Sequence, residues 1–232
     1  MHSAPNLAPA PLLPEEVLAR RARLPLRPAP VEMEGRYVRL RPLELVRDVE
    51  ALHAVSSGCA LRLGLRSVPA YDPDEQIWRY MSGGPFARAD ELAEWLRPQL
   101  AATNGLPLCV SDASTGHPVG VACYIANAPE HLKIELGSIW YGPIAQRTHA
   151  NLEATYRMLA HAFHLGYRRV EWKCDARNER SRRAALRMGF RFEGVQDSHL
   201  IIKGRSRDTA WFRILEAEWP AVKQQLEEML YP

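Results

Sequence analysis

The chain has 232 residues, 47% hydrophobic and 25% charged, enough for one substantial domain with an extension and short of two full domains. Its net charge of +3 is modest, and the basic residues are dispersed instead of being interleaved with aromatics along one face, so no nucleic-acid partner is expected. No apolar run approaches the ~20 residues of a membrane span, and the N-terminus "MHSAPNLAPAPLLPEEV" lacks the basic start and continuous apolar stretch of a secretory signal, so a cytoplasmic protein without a membrane partner is expected.

Residues 1–31 are rich in Pro and Ala and read as an extension, with a short helix at "PEEVLARRARL". A domain spanning 32–232 follows. "GRYVRLRPL" has strand period, and "LVRDVEALHAVSS" reads as an amphipathic helix with Val46, Val49, Leu52 and Val55 on its apolar stripe. "DPDEQIWRYMSGGPF" suggests a short helix opened by an Asp cap and closed by Gly83 and Gly84, and "ARADELAEWLRPQLAA" a longer one. "LPLCVSD" and "HPVGVACYIANA", separated by "ASTG", form a hairpin signal, and "HLKIELGSIWYG" is the next strand. A polar stretch without glycine, "PIAQRTH", then leads into a helix carrying Leu152, Tyr156, Leu159 and Phe163 on one side. "YRRVEWKC" returns to strand, "NERSRRAALRMGF" to helix, "HLIIKGRSRDTAWFRIL" to a hairpin, and "EAEWPAVKQQLEEML" to a terminal helix. Hairpins mixed with crossover helices around one sheet indicate an α/β or α+β domain.

The four cysteines are scattered without a C-x-x-C pair, so reduced thiols without a ligand role are expected. His161 and His164 lie three apart on a predicted helix, but no carboxylate or thiol partner accompanies them. No metal is expected. Of the 30 basic residues 26 are arginine, which suits bidentate phosphate recognition. An overall usage bias gives the same count, so a binding argument rests on where the arginines sit.

Three stretches, "IWYGPIAQRTHANLEA", "GYRRVEWKCDARNERSRRAALRMGFRFEG" and "KGRSRDTAWF", together with the order of elements, resemble the GNAT acetyltransferase superfamily, and within it the RimJ/RimL-type N-acetyltransferases. The resemblance covers about Gly35 to Trp219. It implies the GNAT acyl-CoA N-acyltransferase fold, a mixed central sheet flanked by helices. It also implies acetyl-CoA, or another short acyl-CoA, as co-substrate. The acceptor would be a primary amine on a small molecule, a peptide or a protein N-terminus, and a homodimer is left open. A non-catalytic acyl-CoA-binding or regulatory protein on the same fold is the alternative.

In that superfamily the CoA pyrophosphate rests on backbone amides between a strand and a helix, in the form Q/R-x-x-G-x-G/A. The corresponding run is Gln146-Arg147-Thr148-His149-Ala150-Asn151, with His149 where the first motif glycine would stand. A helix starting near Arg147 would still offer free N–H groups and its positive dipole end to an anion, and Arg147 would add a charge-assisted donor. Asn178 reads as an N-terminal cap, and by resemblance also contacts the pantetheine arm. Ser181 is either an ordinary first-turn serine or, by resemblance to RimL-like enzymes, a donor to the departing thiolate. Glu135 is the only acid on "HLKIELGSIWYG", and strand alternation sets it opposite Ile134 and Leu136. By resemblance it is the candidate base, and a backbone N–H near Ile139 or Trp140 is the candidate oxyanion donor. Tyr124, Trp140, Tyr141 and Trp172 either line a pocket or belong to the core.

Overall fold

The computed structural model describes residues 10–232, so the first nine residues of the extension lie outside the described residues. Segments of strand period meet in one eight-stranded sheet. In chain order its strands are β1 (Met33–Glu34), β2 (Val38–Pro42), β5 (Leu106–Asp112), β6 (Pro118–Ala128), β7 (Lys133–Tyr141), β8 (Arg169–Asp175), β9 (Arg191–Ile202) and β10 (Arg205–Leu215). Their spatial order is β1-β2-β5-β6-β7-β8-β10-β9. Every neighbouring pair is antiparallel except β7 and β8. That parallel pair needs a crossover, which the helix α4 (Ala150–His164) supplies.

Alternation along the strands builds two apolar layers. Leu108 and Val110 of β5, Ala122 and Tyr124 of β6, and Ile134 and Leu136 of β7 pack toward α4 and the terminal helix α6 (Trp219–Leu230). Cys109, Val121, Cys123 and Trp140 pack toward α2 (Leu45–Ala54) and α3 (Ala89–Ala101) on the other face. Fully burying each large apolar side chain stabilises the domain by ~1.5–3 kcal/mol. On α4, Leu152, Tyr156, Leu159 and Phe163 are all buried as their spacing predicts. Phe163 stacks on Trp219 at 5.0 Å, which docks α6. The short helix α1 (Glu15–Ala19) continues into a 3-10 turn over Arg20–Arg23. Arg20 then pairs with Glu216 at 2.5 Å, tying this segment to the turn after β10.

The structure departs from the sequence reading in four places. Val46 is fully exposed and Val49 only partly buried, whereas Asp48 is 0% exposed. Arg41 of β2 and the Glu44 N–H draw the Asp48 carboxylate inward, and this turns Val46 to solvent. Residues Asp74–Trp78 wind as a π-helical turn, with Asp72 Oδ1 accepting the N–H groups of Asp74 and Glu75. Two short strands, β3 (Leu61–Leu63) and β4 (Arg66–Val68), pair as a hairpin that the reading leaves unassigned. The final hairpin is also longer than expected, because β9 begins at Arg191, directly after the turn that ends α5 (Glu179–Arg187).

Candidate functional site

Parallel pairing of β7 with β8 runs from Lys133↔Arg169 to Glu135↔Glu171 and stops there. Beyond that pair β7 continues along β6 alone, so one edge of its backbone faces a split in the sheet. A register shift in the β6–β7 ladder puts Ser138 at φ +51. Ser138 Oγ donates to Gln99 Oε1 of α3 at 2.7 Å, which pins this bulge from the helix side. The Gly142 N–H donates to Val119 of β6 at 2.9 Å. Alternation therefore turns the Trp140 N–H toward β6 and aims those of Tyr141 and Ile139 into the split. The Tyr141 carbonyl on that side accepts from Gln146 Nε2 at 2.9 Å.

The polar run after β7 does not start a helix near Arg147 as the sequence suggests. Arg147 sits at φ +59, and α4 begins at Ala150 with His149 as its N-cap residue. Thr148 takes the capping role: its Oγ1 donates to the Ala145 carbonyl at 2.7 Å and accepts from the Ala150 N–H at 3.1 Å. The first helical bond runs from the Glu153 N–H to the His149 carbonyl at 2.8 Å. The N–H groups of Asn151 and Leu152 are left without a protein acceptor among the described residues, at the positive end of the helix dipole. The His149 ring is stacked on Tyr37 at 4.5 Å, with 16° between the planes. Tyr37 is itself held by Glu153. The buried Glu153 carboxylate accepts the N–H groups of Arg36 (2.8 Å), Tyr37 (2.7 Å) and Val38 (2.9 Å), and the Tyr231 hydroxyl (2.5 Å).

Across the split, Asn178 caps α5 by accepting the Ser181 N–H at 3.1 Å. Ser181 Oγ accepts from the Trp172 indole N–H of β8 at 3.0 Å. Arg180 donates to the carbonyls of Glu75 (2.5 Å) and Gln76 (3.3 Å). The same Gln76 carbonyl accepts from Gln146 at 3.1 Å. The π-helical segment thus straps together the turns that open α4 and α5. Lys203, in the tip "KGRSRD", adds a bond to the Trp78 carbonyl at 2.8 Å. Arg182 and Arg183 turn elsewhere, to the Ala176 carbonyl and to Glu179.

Glu135 is 1% exposed and lies on the face opposite Ile134 and Leu136. Lys173 Nζ approaches its Oε2 at 2.9 Å as an ion pair, off the axis of a hydrogen bond, so that oxygen has no hydrogen-bond donor among the described residues. Burial raises the Glu135 pKa above the ordinary carboxylate range, and Lys173 offsets part of that rise. Lys173 also lies over the Trp211 ring at 5.0 Å. A 340 Å³ groove lined by Trp211, Arg169 and residues 193–196 opens on this side. A larger groove of 550 Å³, between Leu18–Leu26 and Pro129–Glu130, is at the other end of β7 from Tyr141 and takes no part. Tyr124, Trp140, Tyr141 and Trp172 are all buried members of the core.

The structure thus gathers Gln146–Asn151, Asn178 and Ser181 around one split. It sets Glu135 at the split's closed end and the Ile139 N–H inside it. Sequence reasoning missed Gln99, Tyr37 and the strap at Gln76. Gln99 and Gln76 act through side-chain or carbonyl contacts that carry no spacing signal.

A model of the acetyltransferase (GNAT) domain matches residues 38–191. A GCN5-related N-acetyltransferase from Brucella melitensis is 38% identical, with a TM-score of 0.79 over 88% of this chain and 87% of that one. A probable GNAT-family acetyltransferase from Chromobacterium violaceum is 30% identical, with a TM-score of 0.78 over 94% of this chain and 100% of that one. A spermidine N-acetyltransferase from Vibrio cholerae, 20% identical over 79% of this chain and 96% of that one, shares the fold at a TM-score of 0.55. No curated protein matches the chain.

Proposed function

The chain belongs to the GNAT family of acetyltransferases, and from that premise we propose that it transfers an acetyl or other short acyl group from acyl-CoA to a primary amine by direct attack. The observation that carries this reading is the parting of β7 from β8 after Glu135↔Glu171, beside a helix start with open N–H groups. The open amides of Asn151 and Leu152, with Arg147, suit a pyrophosphate. Asn178 borders the path of the pantetheine arm. The acyl-CoA supplies the activated thioester.

The neutral amine attacks the acyl carbon, and its surplus proton passes to Glu135, directly or through water. The raised pKa of that carboxyl brings it toward the range useful to a general base. The Ile139 N–H, aimed into the split, donates to the oxygen that gains charge during attack. The C–S bond then breaks, and Ser181 donates to the leaving sulfur.

His149 and Asn151, standing where the family's motif carries glycine and a small residue, favour a second reading in which the protein binds acyl-CoA without turning it over. Thermal melts with acetyl-CoA, run beside a thiol-release assay on a panel of amines, separate the two. Stabilisation by mass action together with amine-dependent thiol release supports the enzyme, and stabilisation without release supports the binding protein. No stabilisation would remove both.

A further inference from the structure

Ser181 is held from two sides, by the Asn178 side chain at its N–H and by the Trp172 indole at its Oγ. An indole N–H only donates. In that contact the hydroxyl is therefore the acceptor, and its own proton is left to point elsewhere. Trp172 is the first residue of β8 beyond Glu171, the last residue paired with β7. The indole thus stands where the split begins, next to its closed end, 5% exposed and packed against Phe190 with ring centroids 5.6 Å apart. Its plane is fixed by packing. A competing acceptor is the Cys174 thiol, which meets the same hydroxyl; burial raises its pKa and keeps it a neutral, weak acceptor.

We propose that Trp172 is a positioning residue, which locks Ser181 Oγ as an acceptor and so aims the hydroxyl proton at the sulfur leaving the thioester. This rests on the acyl-transfer reading above. In the step concerned the amine nitrogen forms the C–N bond, the C–S bond breaks with its electron pair passing to sulfur, and the Ser181 O–H hydrogen-bonds that thiolate. The amine proton goes to Glu135 or water, and the thiolate later takes a proton from solvent. The indole bond also polarises the hydroxyl it feeds, strengthening the bond the hydroxyl donates.

The test is a double-mutant cycle on Trp172→Phe and Ser181→Ala, with kcat and the acetyl-CoA KM measured for one amine. Trp172→Phe is expected to lower kcat about 3–10-fold, the worth of one neutral hydrogen bond, with KM nearly unchanged. Ser181→Ala should cost at least as much, and adding Trp172→Phe to it should cost nothing further. An equal Trp172→Phe loss in both backgrounds would mean that Trp172 acts through packing, which overturns the proposal. Unchanged kcat in either single variant overturns it too. If Trp172→Phe fails to fold, benzothienylalanine at position 172 keeps the bicyclic ring and puts sulfur in place of the donating N–H, and the same cycle decides. Wild-type protein that binds acetyl-CoA but acylates no amine would instead sink the transfer reading on which this step rests.

Discussion

Glu153→Gln is expected to carry a large stability cost. The carboxylate sits in the first turn of α4, 0% exposed, and divides four donors between its oxygens. Oε1 accepts from the Arg36 N–H and the Tyr231 hydroxyl, and Oε2 from the N–H groups of Tyr37 and Val38. An amide has one acceptor oxygen; in its better orientation that oxygen keeps the Tyr37 and Val38 N–H groups, while the NH₂ donates to a rotated Tyr231 hydroxyl and confronts the Arg36 N–H. The Arg36 bond is lost outright, worth ~1.5–3 kcal/mol, and the bonds from Tyr37 and Val38 fall from charge-assisted to neutral strength, a loss of about 1 kcal/mol or more each. The expected destabilisation is about 3–6 kcal/mol, a fall in Tm of roughly 10–20 °C for a domain of this size. Urea titrations with an unchanged m-value, beside thermal melts, would measure it. The loss should be smaller for Tyr231→Phe, which removes only one of the four donors. A Glu153→Gln variant within 1 kcal/mol of wild type would refute the reasoning, because no other group among the described residues accepts the N–H groups of Arg36, Tyr37 and Val38.

Two further outcomes follow from the site. Arg147→Gly should stabilise the folded chain by about 1 kcal/mol, since it relieves a non-glycine residue at φ +59. It should also weaken acetyl-CoA binding about 10-fold or more through loss of a charged donor, and calorimetry showing an unchanged Kd would exclude Arg147 from the phosphate site. Glu135→Gln should lower kcat about 10²–10⁴-fold at neutral pH and recover at high pH, where the amine loses its proton unaided; parallel pH–rate profiles would exclude Glu135 as base. For stability, a carboxyl with a raised folded pKa holds its proton longer in the folded state. Wild-type stability should thus fall as pH climbs from the unfolded carboxylate pKa through the folded one, and Glu135→Gln should flatten that slope.

Most of the sheet and helix order was legible because alternation and helical spacing are properties of short segments. Residues 106–112 and 118–128 declared a hairpin, and Leu152, Tyr156, Leu159 and Phe163 declared the buried side of α4. The face of α2 was not legible. Its rotation depends on Arg41, in a different element, pulling Asp48 inward. The candidate site was legible as a motif, whereas the contacts that support it were not. "QRTHAN" marked the turn, yet only the fold brings Tyr37 under His149 and Gln76 between Gln146 and Arg180. Glu135 could be assigned to a face by alternation, while its burial and its pairing with Lys173 needed the neighbouring strand.

The turn before α4, proposed above as a phosphate cradle, dispenses with glycine. Glycine in such a motif meets two separate needs, a backbone angle that L-residues avoid and the absence of a Cβ where an anion approaches. Here the two needs fall on different residues. The positive φ sits at Arg147, whereas His149, at the motif's first glycine position, has φ −74, which any residue adopts. The side chain at 149 still has to go somewhere, and the ring lies flat on Tyr37. Tyr37 stays in place because Glu153 holds its N–H from one turn further along the same helix. The helix that presents the open amides therefore also anchors, through its own buried carboxylate, the ring on which its N-cap side chain rests. Losing that carboxylate would free both Tyr37 and His149, so the stability of this turn and the anion affinity proposed for it share one cause.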